Sequence, residues 1–275
     1  MIFSFVFPYN TLKIDIYKAF QSSGFMGFWP LVNEVLDQAD ILLLIGDARM
    51  PELSNNLELE RKVKARSKPL IYVLNKMDLV SEESLKAFTK EYPNSFFVSA
   101  TQNMGISELR RHIQITGKKL KLDEPVVGVV GYPNIGKSAV INALARRKKT
   151  AVADKPGTTR GVQWIKSNGL KILDSPGVIP YEDTSSKLAL IGSKAPGNFI
   201  NPEKVALEII HLFLGKNKKN LEERYAIEFP ILTQPEKILE MIARKRGFLK
   251  KGGVIDETKT AIYIIQDWQK GKLKF

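Results

Sequence analysis

Runs of consecutive apolar residues alternate along the chain with stretches whose apolar residues are spaced as in helices. Four runs predict parallel strands buried on both faces, because such strands have no polar face. They are Ile41–Ile45, Leu70–Leu74, Phe96–Val98 and Val126–Val130. Helical composition covers residues 57–66, 82–90, 106–115 and 136–145. This alternation predicts an α/β fold with a parallel sheet and right-handed crossovers.

Beyond the fourth run the pattern changes twice. Val162–Ile165 and Leu170–Leu173 predict a strand pair joined by a turn at Asn168–Gly169. Farther on, helical patterns at 201–213, 221–227, 235–246 and 258–270 predict a small helical C-terminal domain. We therefore expect an N-terminal extension (1–27), an α/β domain (28–182) and a helical domain (183–275). Within the α/β domain, a turn is predicted at Thr116–Gly117, and the lysine-rich stretch Gly117–Pro125 is typical of a surface linker.

Composition excludes several kinds of chemistry. The 275 residues include no cysteine, which excludes disulfides and thiolate zinc sites, and two histidines are too few for a multi-histidine metal site. No apolar run approaches the roughly 20 residues of a membrane-spanning helix, and the first residues lack the features of a signal peptide. We expect a cytoplasmic protein with no membrane association. The net charge of +13 favours a polyanionic partner, although a lysine-rich solvated surface would give the same charge.

The chemistry of the chain is indicated first by Gly131-Tyr-Pro-Asn-Ile-Gly-Lys-Ser138, the pattern G-x-x-x-x-G-K-S between a predicted strand and a predicted helix. This is the context of a phosphate-binding loop (P-loop), whose backbone amides and helix N-terminus hold phosphate oxygens. Lys137 is predicted to reach the β- and γ-phosphates, and the Ser138 hydroxyl to bind magnesium.

Asn75-Lys-Met-Asp78 indicates which base is bound, because it follows a buried strand at the edge where α/β sheets bind ligands. The Asp78 carboxylate can accept hydrogen bonds from N1 and the N2 amino group of guanine, whereas adenine has no donor there. Asn75 is expected to meet the other edge of the base and to tie this motif to the P-loop. The Lys76 stem is expected to cover the face of the base.

Three shorter patterns agree with a guanine-nucleotide site. Ser99-Ala100 follows a strand and offers a backbone amide to guanine O6. Asp174-Ser-Pro-Gly177 has the form D-x-x-G, in which Asp174 would hold magnesium through water and the Gly177 amide would meet the γ-phosphate. In Pro156-Gly-Thr-Thr-Arg160 a threonine would complete the magnesium site; we choose Thr159 and keep Thr158 as the alternative. Proline, glycine and threonine are also ordinary residues of a surface loop.

The order of these motifs is unusual. In a Ras-like chain the P-loop, the threonine and D-x-x-G come before N-K-x-D and S-A, whereas here they come after. Cutting a Ras-like fold after D-x-x-G and joining its original ends gives this order. Chain ends often lie close together at the surface, so such a joint is tolerated. We place it in Gly117–Pro125.

With these motifs in this order, the sequence resembles the circularly permuted GTPases of the YlqF/YawG class, among the TRAFAC P-loop GTPases, over roughly residues 30–275. Further matching segments are Asp47-Ala-Arg-Met-Pro51, Val162-Gln-Trp164, Ile242-Ala-Arg-Lys-Arg-Gly247 and Lys251-Gly-Gly253. The resemblance implies GTP hydrolysis in assembly of the large ribosomal subunit. Because Val178 follows D-x-x-G where Ras-like proteins carry glutamine, it also implies slow intrinsic hydrolysis. Potassium activation is implied as well, with Asn134 holding the ion.

The predicted site is thus a set of residues in named roles. Catalytic roles are expected for Lys137, Thr159 and Gly177, and magnesium binding for Ser138, Thr159 and Asp174. The nucleotide is expected to contact Asn75, Lys76, Asp78, Ser99, Ala100, Asn134, Ile135, Gly136, Lys137, Ser138, Ala139, Asp174 and Gly177.

The partner is predicted from the helical domain. Its basic clusters Arg244–Arg246 and Lys250–Lys251 suit ribosomal RNA, with a solvated basic face as the alternative, while Trp268 is expected in the core. We expect a monomeric GTPase that binds the large ribosomal subunit or its precursor. The alternative is a GTP-regulated switch that binds another RNA or a protein.

Overall fold

We describe the protein from a computed structural model that covers residues 28–145, 162–167, 169–180 and 182–275. The predicted N-terminal extension, the loop Pro156–Arg160 with Thr158 and Thr159, and Asn168 lie outside these residues. Among the helices of the described ranges, none is long and apolar enough to cross a membrane.

A six-stranded sheet forms the centre of the α/β part, in the order β3-β2-β1-β4-β6-β5. Neighbouring strands are parallel except β5, which pairs antiparallel with β6. The strands are β1 (Ile41–Asp47), β2 (Leu70–Asn75), β3 (Ser95–Phe97), β4 (Val126–Gly131), β5 (Gln163–Ser167) and β6 (Leu170–Asp174). All the predicted strands are therefore present, with ends that differ by one or two residues.

The continuous apolar runs form the interior strands because helices cover the sheet on both faces. Every residue of β1 is buried. Its side chains alternate between two cores: Leu43 lies in one and Leu44 in the other. The edge strand β5 is largely exposed, and Trp164 is 55% accessible.

Six helices lie in the described residues of this part of the chain. Two pack against the core that contains Leu43 and two against the core that contains Leu44. Side-chain caps define two helix starts: Asn56 accepts a hydrogen bond from Leu59 N, and Ser81 from Ser84 N. The helices are α1 (Trp29–Gln38), α2 (Pro51–Ser54), α3 (Leu57–Lys64), α4 (Glu82–Glu91), α5 (Ile106–Lys119) and α6 (Lys137–Leu144), with a 3-10 turn at Met77–Leu79.

The predicted turn at Thr116–Gly117 is wrong, because α5 continues through both residues to Lys119. Gly117 is buried, and a Cβ atom there would lie 2.8 Å from Cγ of Pro125. Glycine is retained inside this helix since the returning chain packs against it, and that contact outweighs glycine's low helix propensity. The proposed joint between the original chain ends thus begins within a helix.

The remaining helices surround a third apolar core, the helical core, which includes Phe213, Ile242, Ile265 and Trp268. They are α7 (Ser185–Leu190), α8 (Pro202–Lys216), α9 (Lys218–Tyr225), α10 (Pro235–Arg246) and α11 (Glu257–Gln269), with a 3-10 turn at Pro196–Asn198. Trp268 is 1% exposed, as expected for a core residue.

Helix α7 contributes to one of the two sheet cores and to the helical core. Leu188 packs with the sheet, and Ala189 and Leu190 pack with the helical core. The division of the chain after residue 182 stays a prediction, since these side chains join the two parts.

Candidate nucleotide-binding site

The predicted motifs meet at one edge of the sheet, where the parallel strands end. The loop after β4 carries the P-loop pattern and leads into α6. Gly131 has φ of +148° and Gly136 of +109°, values that residues with a Cβ rarely adopt. Asn134 also has a positive φ, +54°, and is exposed. Ile135 is buried under the loop, and Ala139 is partly buried in the first turn of α6.

Lys137 folds back into the loop. Its Nζ atom donates to the carbonyl oxygens of Gly131 (3.2 Å) and Tyr132 (2.8 Å). Burial lowers the pKa of this amine to about 8, partly offset by the Asp174 carboxylate. The ammonium group is therefore held inside the loop, in position to exchange two carbonyl partners for phosphate oxygens.

Asn75 connects three of the predicted motifs. Its Oδ1 atom accepts a hydrogen bond from Ala100 N (3.1 Å), and a Cβ atom at Gly136 would lie 2.3 Å from its Nδ2. The side chain is buried between these two loops. The sequence predicted that Asn75 lies against the P-loop, and the structure adds its hydrogen bond with Ala100. To bind guanine O6 as well, the Ala100 amide would have to share this hydrogen bond or give it up.

The rest of N-K-M-D forms a tight turn. Lys76 has φ of +68°, and its Nζ donates to Asp47 Oδ2 at 2.7 Å. Asp78 lies in the 3-10 turn that follows, which is fixed by a hydrogen bond from Met77 N to Val98 O. Ser99, at the end of this neighbouring segment, is fully buried and accepts a hydrogen bond from Gln102 N.

The two described candidates for magnesium binding lie together. Ser138 Oγ is 3.5 Å from Asp174 Oδ2. In the described ranges, no group of three or more histidine, cysteine, aspartate or glutamate side chains could hold a metal ion. The donor set of one hydroxyl and one carboxylate suits magnesium, which takes few protein ligands and completes its shell with phosphate and water oxygens. Thr159 lies outside the described residues.

The D-x-x-G segment lies directly on the P-loop. A Cβ atom at Gly177 would be 2.4 Å from Pro133 N, so only glycine fits in this conformation. The next residue, Val178, donates its amide to Gly131 O (3.3 Å), and its side chain is fully buried. Asn56 Nδ2 donates to the carbonyl of Val178 (3.4 Å). Val178 therefore faces the core and offers no polar group to the site.

Two groups of side chains around the site had no role in our sequence analysis. Asp47 and Arg49 lie in a segment that matched the class, but the pattern gave no function for them. Tyr132 lies inside the P-loop pattern, at a position the pattern leaves open, and its phenol donates to Asp183. Their partners lie far away in the sequence: Asp47 binds Lys76, Arg49 binds Trp268 and Tyr132 binds Asp183. Local spacing therefore cannot predict these contacts.

Comparisons with known proteins identify what the chain is similar to. Residues 126–236 match a family model described as "50S ribosome-binding GTPase". The chain is 38% identical over 247 residues to the GTP-binding protein MJ1464 of Methanocaldococcus jannaschii, covering 89% of this chain and 65% of that protein. It is 32% identical to the GTPase grn1 of Schizosaccharomyces pombe (88% and 60% covered). It is also 30% identical to the nuclear GTP-binding protein NUG1 of Saccharomyces cerevisiae (88% and 54% covered). The chain thus spans less than two thirds of the length of these relatives.

Solved structures of YlqF share the fold. GNP-bound YlqF from T. maritima aligns with a TM-score of 0.55 at 25% identity, covering 88% of this chain and 93% of that one. A GDP-bound structure of TM YlqF gives 0.56 at 25% identity, with 88% and 95% covered. Both alignments cover 88% of this chain, so the likeness in fold extends beyond the α/β sheet into the helical region. The chain thus carries a P-loop GTPase domain whose motifs occur in permuted order, and over most of its length it is similar to YlqF.

Proposed function

We propose that the protein binds GTP with magnesium, hydrolyses it to GDP and phosphate, and acts on the large ribosomal subunit or its precursor. The observation that carries the nucleotide part is the position of Asn75. Its side chain touches both Gly136 of the P-loop and Ala100 of the S-A loop, so the base motif and the phosphate motif form one continuous surface.

Guanine selectivity would come from Asp78, at the edge of this surface. A carboxylate accepts hydrogen bonds from N1 and the N2 amino group of guanine together. Adenine would leave the carboxylate without a donor, and an unpaired buried charge is costly. Lys76, held by Asp47 at 2.7 Å, would cover one face of the base with its alkyl stem.

Hydrolysis would proceed by attack of a water oxygen on the γ-phosphorus. The bond from that phosphorus to the bridging oxygen breaks, and GDP leaves with the electron pair. Both hydrogens of the water end on the released phosphate, one on the attacking oxygen and one on a former γ-oxygen. Lys137 would stabilise charge on the β- and γ-oxygens, and the Gly177 amide would hold a γ-oxygen. Magnesium held by Ser138, Asp174 and Thr159 would neutralise phosphate charge.

We expect the intrinsic rate to be slow. The Val178 side chain is buried and cannot orient a water molecule, so the chain lacks at this position the group that Ras-like enzymes use. Potassium at the exposed Asn134 would add positive charge beside the phosphates, and a ribosomal particle would raise the rate further.

The ribosomal part of the proposal is supported by the helical region (183–275). Arg244–Arg246 and Lys250–Lys251 are exposed, and clustered cations bind the RNA backbone by displacing counterions. The matched family is described as ribosome-binding, while grn1 is named a GTPase and NUG1 a nuclear GTP-binding protein. We propose that the protein acts as a monomer where large subunits are assembled, which in a cell without a nucleus is the cytoplasm.

The nucleotide part is tested by single-turnover hydrolysis of GTP and ATP with the purified chain. We expect GTP hydrolysis that excess ATP does not inhibit. In Lys137→Ala the rate should fall by at least about 100-fold, while the exposed-lysine variant Lys86→Ala should match wild type. Equal use of ATP would contradict guanine selectivity. Hydrolysis without association with large subunits would favour the alternative switch on another RNA or a protein.

A further inference from the structure

A cluster of three charged side chains lies under the base motif. Asp47 and Arg49 are almost fully buried, with exposures of 1% each. Arg49 binds the carboxylate with two nitrogens, Nε to Oδ1 at 3.0 Å and Nη2 to Oδ2 at 2.8 Å. Lys76 of N-K-M-D donates to the same Oδ2 at 2.7 Å. Asp47 therefore fixes the position of the lysine that would cover guanine.

The charges in this cluster depend on one another. Burial alone would raise the pKa of Asp47, but Arg49 and Lys76 outweigh burial and hold that pKa well below its usual range. Burial also lowers the pKa of Lys76, and Asp47 offsets part of that effect. Removing one partner would leave a buried charge without compensation, so the three groups act as a unit.

Arg49 extends the cluster into the helical region. Its Nη1 donates to the backbone carbonyl of Trp268 at 2.7 Å, and its guanidinium lies 3.9 Å from the centre of the Trp268 ring. Trp268 is held in turn by a hydrogen bond from its indole Nε1 to Leu190 O, also 2.7 Å. A guanidinium stacked on an aromatic face and paired with a carboxylate has little freedom to move.

A second contact reaches the other side of the base motif. Leu79, which follows Asp78, accepts a hydrogen bond from Phe275 N at 3.2 Å. A Cβ atom at Gly271 would lie 2.7 Å from Leu79 Cδ1. The segment Trp268–Phe275 is thus connected to the base motif in two ways. Trp268 contacts Arg49, which shares Asp47 with Lys76, and Phe275 binds Leu79 in the turn that carries Asp78.

We propose that Asp47, Arg49 and the segment Trp268–Phe275 form a brace that positions Lys76 and Asp78 for guanine recognition. These are positioning residues, since they act through the base motif. The proposal rests on the guanine-nucleotide function proposed above. It assigns the helical region a second role, in addition to RNA binding: to complete the base pocket.

The brace makes a prediction that separates it from effects of the γ-phosphate. Because it acts on the base, weakening it should lower the affinities for GDP and for a GTP analogue by the same factor. It should also reduce the preference for GDP over inosine diphosphate, which lacks the 2-amino group that Asp78 would bind. General loosening of the fold would lower the affinities for GDP and inosine diphosphate alike and leave their ratio unchanged.

The test is competition binding of GDP, a GTP analogue, inosine diphosphate and ADP against fluorescent GDP. The variant is Arg49→Lys, which keeps the positive charge but loses the two-nitrogen pairing with Asp47 and the stacking on Trp268. Arg66→Lys is the matched control, because Arg66 also pairs with a carboxylate (Asp37 Oδ1, 2.6 Å) and donates to a backbone carbonyl (Lys62 O, 3.0 Å), with both partners on helices α1 and α3. We expect Arg49→Lys to lower GDP affinity about tenfold and to reduce the GDP preference. Arg66→Lys should behave as wild type.

A second pair of variants perturbs the brace without touching a charge. Gly271→Ala places a methyl group against Leu79. Gly247→Ala is the control: its φ of +67°, close to the +70° of Gly271, imposes the same backbone strain, but its methyl group would meet no atom within 4 Å. Only Gly271→Ala should reduce the GDP preference, and this pair decides the question if Arg49→Lys does not fold. An unchanged ratio in folded Arg49→Lys or in Gly271→Ala, or an equal loss in the controls, would overturn the brace. Wild type that fails to prefer GDP over ADP would instead contradict the proposed function.

Discussion

The phenol of Tyr132, inside the P-loop, donates a hydrogen bond of 2.5 Å to the Asp183 carboxylate at the start of the helical region. Lys187 pairs with the same carboxylate at 2.7 Å and lies 5.2 Å from the centre of the Tyr132 ring. Ser193 Oγ also donates to Pro133 O at 3.2 Å. The phosphate side of the site is therefore attached to the helical region as firmly as the base side is through Arg49 and Trp268.

Removing the Tyr132 hydroxyl should weaken this attachment. In Tyr132→Phe we expect the free energy of unfolding to fall by about 1–2 kcal/mol, because a partly buried hydrogen bond to the Asp183 carboxylate is lost while Lys187 still pairs with that carboxylate. Chemical denaturation measures the change. Tyr263→Phe, whose hydroxyl has only a long contact of 3.4 Å with Arg224, should lose less than about 0.5 kcal/mol. Equal stability of Tyr132→Phe and wild type would show that the bond contributes nothing.

Gly177→Ala should separate GTP from GDP binding. The added methyl group would lie within 2.5 Å of two backbone atoms of Pro133. Because backbone atoms cannot rotate away as the end of a flexible side chain can, the D-x-x-G segment must move. We expect the affinity for a GTP analogue to fall about tenfold and that for GDP to change less than about threefold. The control is Gly197→Ala, where the methyl group meets no atom within 4 Å. Loss of both affinities by one factor would argue against a γ-phosphate role for Gly177.

The buried Lys137 should take up a proton when nucleotide binds above neutral pH. Its pKa is about 8 in the folded protein and 10.5 for the ordinary side chain. Between these values the unfolded chain binds more protons, so this lysine makes the stability of the nucleotide-free protein rise with pH from about 8 to 10.5. Phosphates favour the ammonium form, so the affinity for nucleotide should fall over the same window.

Calorimetry of GDP binding at pH 8, in two buffers with different ionisation enthalpies, measures this uptake directly. We expect roughly half a proton per nucleotide, since the pH then equals the pKa. Lys137→Arg, whose guanidinium stays charged, should take up none. The same heat in both buffers for wild type would mean that Lys137 is already fully charged without nucleotide.

Potassium should accelerate hydrolysis through Asn134. At constant ionic strength, we expect single-turnover rates several-fold higher in potassium chloride than in sodium chloride, because an amide oxygen beside the phosphates can bind the larger cation. Asn134→Gly removes the oxygen and tolerates the positive φ of +54°. It should lose the salt difference and keep its GDP affinity. Equal rates of wild type in the two salts would exclude this role.

The sequence was sufficient to predict the sheet and the main motifs, because these depend on local patterns. A fully buried strand such as Ile41–Asp47 must be continuously apolar, and a P-loop needs glycines at fixed positions. The helix through Gly117 could not be predicted, since its stability depends on Pro125 in the returning chain.

Contacts between distant segments were beyond the reach of sequence patterns. Arg49 and Trp268 are 219 residues apart, and neither residue type specifies the other. Tyr132 occupies an open position of the P-loop pattern, so its pairing with Asp183 is visible only in three dimensions. These long-range contacts are the ones that join the nucleotide site to the helical region, and they follow from the fold as a whole.

The central claim, that the protein binds guanine nucleotide and acts on the large ribosomal subunit, is tested most directly by co-sedimentation with purified large subunits. Wild type and Asp78→Asn are each incubated with GDP, a non-hydrolysable GTP analogue, or the corresponding xanthosine nucleotides. The asparagine amide donates where xanthine carries its 2-oxo group, so this variant should change base preference. We expect wild type to pellet with subunits in the GTP analogue and much less in GDP, and Asp78→Asn to do so only in the xanthosine analogue. Pelleting that is the same with every nucleotide, or absent with all of them, would contradict the account.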